Sequence, residues 1–485
     1  MQWKPDKSAN EPIYKQIARF YEEQIMCGEL APGALLPTER ELAGALQVNR
    51  STVTAAYEEL RATGLITSAQ GSGTWVTHHH WGVAPRNIPN WQHYTSGGTF
   101  LPALPLVKQV REAAMDRSII NLAKAELAPS LMPASILEGL LREETSLVSL
   151  NYLHPKGDPD LREAISLHLK KHFSISITPE EIMVTSGAQQ ALHIITQCLL
   201  NPGDAIAMEC PSYTYSLPLF VSAGLRLHRL PVDQEGLKPD EIVALYKKHR
   251  IRMIFTNPTY HNPTGTTLSL SRRKELLRIC EELRIPIVED DAFGTITLNH
   301  SEIPPVPLKA IDQKNGSVIY IGSLSKTVSP GLRIGWIAGP KTVIERLSDA
   351  KQQMDYGTSS IAQRLLFAYL AKGHWEKQTL QIRGHLTRRR DTTLHALSKH
   401  LSDKAIWNQP EGSYHIWCQL HQPIPDELLL ARGIQGGVLF TPGSVFGAES
   451  GFVRLTYSWA DEQLIEEGIC RLRRAIELHN NKTDS

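Results

Sequence analysis

The sequence predicts an α/β protein in two parts: a small, mainly helical N-terminal domain and a large domain with a mostly parallel sheet and helices on both faces. Three observations support this. The chain has 485 residues, which exceeds the roughly 250–300 residues at which a single hydrophobic core stops growing. Short helical patterns fill residues 1–77. From residue 119 onward, apolar strand-like runs alternate with helical stretches, the pattern of a parallel sheet.

Local composition sets the boundaries between the two domains. Residues 78–118 lose periodicity and are rich in proline and glycine, which is typical of a linker. We therefore expect domains at 1–77 and 119–485. Strands of the large domain are expected at its apolar runs: Glu181–Val184, Ala205–Met208, Ile251–Phe255, Ile285–Val288 and Ser317–Ile321.

The overall composition excludes several classes of protein. The formal net charge is +1, so overall charge favours no particular partner. The six cysteines lie far apart without CxxC spacing, which argues against a disulfide framework or a metal site and suits a reducing compartment. The N-terminus is polar, and no run of about 18 apolar residues could span a membrane. We therefore expect a cytoplasmic protein with no metal and no membrane partner.

The N-terminal domain carries the start and stop signals of three helices and a hairpin. Helix 1 is expected to begin near Pro12, a favoured residue of the first turn. Thr38 and Glu41 form a capping-box pattern that begins helix 2, and Asn49 is a natural N-cap for helix 3. Residues 65–77 predict two strands around a glycine-rich tip.

Helix 3 has the pattern of a helix that reads DNA. Its apolar residues are expected to face inward, which leaves Arg50 and its polar neighbours outside at the N-terminal end, where a recognition helix reaches base edges and phosphates. Charge does not reinforce this prediction. Residues 1–77 contain seven basic and nine acidic residues, so no basic stripe indicates nucleic acid. The prediction depends on the pattern and on where the few arginines fall.

Two stretches, LLPTERELAGALQVNRSTVTAAYEEL and GLITSAQGSGTWV, resemble the helix-turn-helix and the wing of the GntR-family winged helix. The resemblance implies that this domain binds double-stranded DNA. The residues that it assigns to DNA contacts are Arg40, Arg50, Ser51, Thr52, Thr54 and the wing residue Gly71. A winged helix used for protein contacts is the alternative.

The most informative stretch of the large domain is SLSKTVSPGLRIGW, residues 323–336. It places Lys326 after a strand and between hydroxyl side chains, with Arg333 seven residues later. An aldehyde cofactor needs a nucleophilic amine, and its phosphate needs a cation and short donors. This stretch contains the amine, in Lys326, and the cation and short donors, in Arg333 and the serines.

Four further segments contain the remaining parts of such a pocket. A strand, a turn of small residues and a helix follow one another around Ser186, which suits a phosphate. Tyr213 follows the next strand and can stack on a planar ring. Asn262 can donate a hydrogen bond to a ring oxygen. The acids of Val288–Phe293 end another strand, and one of them can pair with a protonated pyridine nitrogen.

Together these segments resemble the fold-type I aminotransferases, which use pyridoxal 5'-phosphate (PLP). The resemblance implies that Lys326 forms the Schiff base, that Asp290 pairs with the pyridine nitrogen and that Asn262 bonds the ring oxygen. It also implies that Tyr213 stacks on the ring. The residues that it assigns to the phosphate site are Ser186, Gly187, Ala188, Gln189, Ser323, Ser325 and Arg333.

Two more positions resemble the parts of these enzymes that contact a substrate. Arg454, in GFVRLTYS, matches the arginine that binds a substrate's α-carboxylate; a surface salt bridge is the alternative for that residue taken alone. Tyr152, in NYLHPKGDPDLREAI, matches a segment that lines the site, often from the partner subunit.

The sequence departs from the aminotransferase pattern at one position of the site. The family usually carries a tyrosine two or three residues after the aspartate, and this chain has Ala292 and Phe293 there. The absent hydroxyl is expected to alter the pKa of the lysine–cofactor linkage and to weaken proton transfer. Tyr260 and Tyr215 are the candidates to replace it.

A GntR-like winged helix, a linker and an aminotransferase-like domain, in that order, resemble the MocR/GabR family over essentially the whole chain. The resemblance implies a homodimeric transcription regulator that binds two DNA half-sites and senses PLP, an amino-acid-like effector, or both. A working aminotransferase with an appended DNA-binding domain is the first alternative. A large domain kept only for dimerisation is the second. Phe293 favours the sensor.

Overall fold

The computed structural model of the protein describes residues 3–9, 11–26, 28–69, 73–77, 95, 98–144, 151–298, 304–312 and 316–478. The chain folds into two units, Met1–Thr99 and Phe100–Ser485. Within the described residues, no helix combines the length and the apolar character needed to cross a membrane.

The helices of the described residues are α1 Ile13–Met26, α2 Glu39–Leu46, α3 Arg50–Ala62, α4 Pro105–Ala113, α5 Ala134–Glu144, α6 Pro159–Phe173, α7 Ala188–Leu199, α8 Leu219–Ser222, α9 Asp240–His249, α10 Leu270–Leu283, α11 Leu308–Ile311, α12 Lys341–Asp355, α13 Ser360–Ala371, α14 His374–Leu401, α15 Asp426–Gln435 and α16 Glu462–Glu477. The strands are β1 Leu35–Leu36, β2 Ile66–Ala69, β3 Gly73–Val76, β4 Ile120–Asn121, β5 Ile182–Thr185, β6 Ala205–Cys210, β7 Arg226–Asp233, β8 Gly236–Leu237, β9 Met253–Thr256, β10 Ile287–Asp291, β11 Val318–Ser323, β12 Gly335–Ala338, β13 Ala405–Trp407, β14 His415–Leu420, β15 Val438–Leu439, β16 Thr441–Pro442 and β17 Phe452–Thr456.

The N-terminal unit packs three helices with an antiparallel sheet of strand order β1-β3-β2. The predicted capping box is present: the Thr38 hydroxyl accepts the Glu41 amide at 3.3 Å, and the Glu41 carboxylate accepts the Thr38 amide at 3.0 Å. Asn49 occupies the N-cap position of α3, but its side chain accepts no capping hydrogen bond. The Thr52 amide instead donates to the Asn49 carbonyl oxygen at 3.0 Å. The inward residues of α3 form the core of the unit with α1.

The main sheet of the large unit has the strand order β5-β12-β11-β10-β9-β6-β7-β8. The pairs from β11 to β7 are parallel, so the predicted mostly parallel sheet is confirmed. Each strand that the sequence predicts for the main sheet is present, and its ends differ from the predicted ones by at most three residues. The sequence did not predict β12, which lies antiparallel between β5 and β11.

A second, four-stranded antiparallel sheet of order β13-β14-β17-β16 lies near the C-terminus. One face of β14 packs into a core shared with α14 and α16, through residues such as Ile416 and Cys418. The opposite face of this small sheet carries Arg454, because Arg454 of β17 pairs with Trp417 of β14.

Part of the segment predicted as a linker is helical. The helix α4 lies within 78–118 and packs Leu106 and Val110 against a small apolar cluster that includes Leu430 and Leu439. These apolar side chains recur at helical spacing, a signal that the surrounding prolines and glycines obscure.

Candidate functional site

The carboxyl ends of the parallel strands bring most of the predicted cofactor residues to one edge of the main sheet. Open α/β sheets bind ligands at this edge, because loops after neighbouring parallel strands meet there. Tyr213 follows β6, Asn262 follows β9, Asp290 lies near the end of β10 and Lys326 follows β11.

Lys326 lies at the centre of this group. Its ammonium nitrogen donates to the backbone oxygen of Ala125 at 2.7 Å and lies 5.9 Å from the centre of the Phe293 ring. The Tyr414 hydroxyl donates to the Lys326 backbone oxygen. Loss of hydration in this pocket lowers the pKa of Lys326 to about 8, which the carboxylate of Glu126 opposes. About one tenth of this amine is therefore neutral and nucleophilic at pH 7, compared with less than about 0.1% of an ordinary lysine.

Asp290 is buried, with 6% of its surface exposed. Its carboxylate accepts a hydrogen bond from the Tyr213 hydroxyl, and its backbone oxygen accepts one from the Asn257 side chain at 2.6 Å. Burial raises the pKa of Asp290 to about 6, while the Tyr213 hydroxyl opposes that shift. Tyr213, predicted to stack on a ring, thus directs its hydroxyl to the acid.

A tight cradle lies where β5 leads into α7. Gly187 has φ +88°, and a Cβ there would come within 2.8 Å of the Arg333 guanidinium, so glycine permits the arginine's approach. That guanidinium donates to the Ser186 backbone oxygen at 2.9 Å. Ala188 and Gln189 form the first turn of α7, whose amides have no partner within a helix.

The two serines of the lysine stretch lie next to each other. The Ser323 hydroxyl oxygen lies 2.9 Å from that of Ser325 and 3.1 Å from the backbone oxygen of Ile334. The Ser323 hydroxyl also accepts the Ser325 amide at 3.1 Å, which closes the turn immediately before Lys326.

Arg454 lies in a second part of the site and exposes 7% of its surface. Its guanidinium donates to Asn262 Oδ1 at 2.9 Å, to the Ala123 backbone oxygen at 2.8 Å and to Thr441 Oγ1 at 3.2 Å. The Phe446 ring centre lies 4.8 Å from the guanidinium carbon. Burial lowers the pKa of Arg454 to about 9. The structure therefore links Arg454 to Asn262 by a hydrogen bond. The sequence had assigned Asn262 to the cofactor ring and Arg454 to a substrate's carboxylate.

Tyr152 is not buried against this pocket within one chain. It exposes 86% of its surface, and its ring centre lies 5.5 Å from that of Tyr356, another exposed tyrosine.

The two tyrosines considered as replacements at position 293 have other neighbours. The Tyr260 hydroxyl donates to Thr297 at 2.9 Å. The Tyr215 ring lies 5.6 Å from the Arg229 guanidinium carbon. The hydroxyl that reaches Asp290 belongs to Tyr213. Sequence reasoning missed Tyr414, which directly precedes β14; its alternation with the buried Ile416 and Cys418 could have indicated a side chain aimed at the interior.

Five of the six predicted DNA-contact residues lie in the N-terminal halves of α2 and α3. Arg40, Arg50 and Ser51 are exposed, and Thr52 and Thr54 are partly exposed. Gly71, the predicted wing contact, lies outside the described residues.

Glu39, which the sequence did not single out, connects three residues of α3. Its carboxylate accepts the Thr54 hydroxyl at 2.9 Å and lies 3.5 Å from both Arg50 Nε and Arg61 Nη2. It therefore places a negative charge beside Arg50 and Thr54, two of the predicted DNA contacts.

Comparisons with known proteins match both units. Residues 13–76 match the family of bacterial regulatory proteins, gntR family, and residues 118–472 match aminotransferase class I and II. The chain is 40% identical over 469 residues to the uncharacterized HTH-type transcriptional regulator YdfD of Bacillus subtilis, and the match covers 96% of each protein. It is also 33% identical to aromatic-amino-acid aminotransferase 1 of Thermococcus litoralis, over 76% of this chain and 91% of that enzyme.

A solved structure agrees with these matches. The kynurenine aminotransferase of Pyrococcus horikoshii, in complex with PMP and with KYN and KYA, superposes with a TM-score of 0.73 at 33% identity. The superposition covers 78% of this chain and 95% of that one. The predicted domain order, a gntR-type domain followed by an aminotransferase fold, is thus confirmed. The chain belongs to the HTH-type transcriptional regulators in which a gntR-family domain precedes an aminotransferase class I and II domain.

Proposed function

We propose that this regulator holds PLP on Lys326 and uses its large unit to sense PLP, an amino-acid-like effector, or both. The observation that carries the proposal is the Lys326 amine, whose pKa is lowered to about 8 in a pocket that also contains the buried Asp290. A lysine in an ordinary solvated position would be almost fully protonated at neutral pH and would react slowly with an aldehyde.

The donors of the pocket fit PLP. The cradle at Gly187 has no room for a Cβ beside Arg333, so a phosphate could approach the backbone amides and a forked cation together. Asp290 provides an anion for the pyridine nitrogen, and Asn262 and Tyr213 provide polar groups beside the ring. When bound, PLP supplies an electrophilic carbonyl and an electron-withdrawing ring.

The chain's own residues prepare the site for such a ligand. The Ala125 carbonyl orients the Lys326 amine, and the Tyr414 hydroxyl holds the Lys326 backbone. Tyr213 occupies a carboxylate oxygen of Asp290, so we expect this hydroxyl to shift when the pyridine nitrogen takes that place. Arg454 is aimed at the effector's carboxylate, with Asn262 fixing one arm of its guanidinium.

Effector binding is proposed to change DNA affinity by linkage. A ligand shifts DNA binding only by its differential affinity for the DNA-competent state. The DNA contacts are assigned to Arg40, Arg50, Ser51, Thr52, Thr54 and Gly71.

We propose that a second copy of the chain completes the site. Support comes from Tyr152 and Tyr356, two neighbouring tyrosines that expose 86% and 60% of their surfaces. Large exposed aromatic residues in contact with each other are typical of interfaces.

A mixed dimer tests this: chains carrying Lys326→Ala or Tyr152→Ala alone should respond weakly, and their mixture should regain one intact site. No recovery in a verified mixed dimer would contradict the shared site.

A working aminotransferase is the second candidate, favoured by the similarity to enzymes such as aromatic-amino-acid aminotransferase 1. Phe293 beside Lys326 weighs against it, because the ring places no hydroxyl there to assist proton transfer. Sustained release of keto acid from added amino acids would establish turnover and contradict the sensor without turnover.

The experiment that tests the proposed function is fluorescence anisotropy of the full chain on DNA from upstream of its own gene, with and without PLP. We expect PLP to change the affinity. Tight binding that is indifferent to PLP would refute PLP sensing through DNA affinity, and no binding would direct the search to another locus and favour the enzyme.

A further inference from the structure

His415, the first residue of β14, is a buried histidine with no assigned role. None of its surface is exposed, and neither ring nitrogen has a hydrogen-bond partner among the described residues. Burial of an imidazole without partners costs free energy, so such groups usually have a bound water or a ligand.

The strand register shows which way His415 points. In the pairing of β14 with β17, His415 lies opposite Thr456 and Trp417 lies opposite Arg454. Alternate residues of a strand share a face, so His415 lies on the same face as Arg454. Tyr414 and Ile416 belong to the other face and pack into the core.

The neighbours of His415 belong to the candidate site. The Phe293 ring centre lies 5.0 Å from that of His415, with the two planes at 85°. Burial first, and then the charges of Arg454 and Lys326, hold the pKa of His415 well below its usual range. The imidazole is therefore neutral and has one N–H to donate and one nitrogen to accept.

A second orphaned donor lies on the same face. Arg454 Nε is buried and has no hydrogen-bond partner among the described residues, although both terminal nitrogens of that guanidinium are bonded. Two donors without partners on one face of the sheet, one of them on a cation, suit an anion with two oxygen atoms.

We propose that His415 is a recognition residue for the effector, donating its N–H to the carboxylate that Arg454 binds. This inference rests on the proposed function only in taking Arg454 to be the carboxylate site. It assigns the effector class as compounds that keep a carboxylate next to the amine, and it excludes the corresponding simple amines. Loss of a hydrogen bond to a charged group corresponds to roughly ten- to hundredfold weaker binding.

The test compares L-alanine with ethylamine, the same compound without its carboxylate. Each is titrated into the PLP-loaded full chain, and binding is followed by the cofactor absorbance. In His415→Phe, we expect the Kd for L-alanine to rise roughly ten- to hundredfold, while that for ethylamine stays unchanged. His415→Gln, which keeps an N–H donor, should recover most of the loss.

His168→Phe is the matched control. His168 is also buried with an orphaned ring nitrogen, but it lies on α6 with its ring centre 4.5 Å from that of Trp375. We expect this variant to bind both compounds like the unaltered chain. Equal loss of L-alanine and ethylamine binding in His415→Phe would show that His415 serves the cofactor, and unchanged L-alanine binding would show that it contacts no ligand. Either result overturns the proposal.

Propionate separates this inference from the proposed function. Calorimetric titration of propionate into the PLP-free full chain probes the carboxylate site without any cofactor. Binding that weakens in His415→Phe supports the inference even if the chain holds no PLP on Lys326. If propionate binds equally to both chains, or to neither, the inference fails.

Discussion

Two arginines illustrate how differently the two units use charge. The Arg50 side chain, at the start of α3, is 72% exposed and has a carboxylate 3.5 Å away. Arg454 is 7% exposed, and its hydrogen bonds go to uncharged oxygens. Exposed charges interact through water and are screened by salt, whereas buried charges are costly until an anion arrives. An exposed arginine such as Arg50 thus suits contact with the phosphates of a long polyanion, and a buried one such as Arg454 suits one small anion.

The largest expected effect is in the large unit, at Lys326. Lys326→Ala removes the amine that would hold PLP, so we expect the cofactor absorbance of the purified protein to disappear. Circular dichroism and sedimentation should show that the fold and the oligomeric state are retained. An absorbance band that survives would move the attachment point to another lysine.

Arg454→Ala should remove the response to amino acids while PLP still binds. The carboxylate loses a buried cation whose planar guanidinium can hold both of its oxygens. The measurement is the amino-acid dose response of DNA binding. Arg454→Lys should be measured beside it, because lysine keeps the positive charge but lacks the planar guanidinium that can bind both carboxylate oxygens. An unchanged dose response in the alanine variant would take Arg454 out of the effector site.

On the exposed side, Arg50→Ala should weaken DNA binding by about 1–3 kcal/mol if the side chain reads a base. The affinity is measured by anisotropy at several salt concentrations, because loss of a phosphate contact reduces the salt dependence of binding and loss of a base contact relaxes sequence specificity. Arg19→Ala, on α1 and 59% exposed, removes the same charge away from α3 and serves as the control. Equal losses in both variants would indicate that only net charge matters.

The pH dependence of PLP attachment reports on Lys326 directly. A pKa of about 8 means that the amine is protonated below that pH and nucleophilic above it. The attachment rate should therefore rise about tenfold between pH 7 and pH 9 and then level off, whereas an ordinary lysine would give a rise of about a hundredfold with no plateau. Stopped-flow absorbance with the PLP-free chain measures this. A steep rise that continues past pH 9 would contradict the lowered pKa.

The smallest effect is expected at Glu39. Glu39→Gln removes a negative charge beside Arg50 and Thr54, so non-specific DNA binding should become tighter by less than about 1 kcal/mol at low salt. The gain should vanish at high salt, because the exposed charges are screened. Weaker binding at all salt concentrations would show that Glu39 acts by holding Arg50 in place.

Local signals predicted much of the fold. The capping box of Thr38 and Glu41 and the apolar runs of the main sheet depend on neighbours within a few residues, so the sequence displays them directly. The helix α4 was missed because prolines and glycines around it dominate the composition. The antiparallel placement of β12 was missed because strand direction is decided by the chain's return path, which no local pattern encodes.

The candidate site divides in the same way. The sequence by itself determined the chemical inventory, namely an amine at Lys326, an acid at Asp290 and a forked cation at Arg454. Only the tertiary structure decided the partners of these groups: Ala125 for the amine, 201 positions away, and Tyr213 for the acid, 77 positions away. It also placed His415 on the Arg454 face of the small sheet. The reason is physical: a residue's chemistry is local, but burial, pKa and orientation depend on groups that only folding brings together.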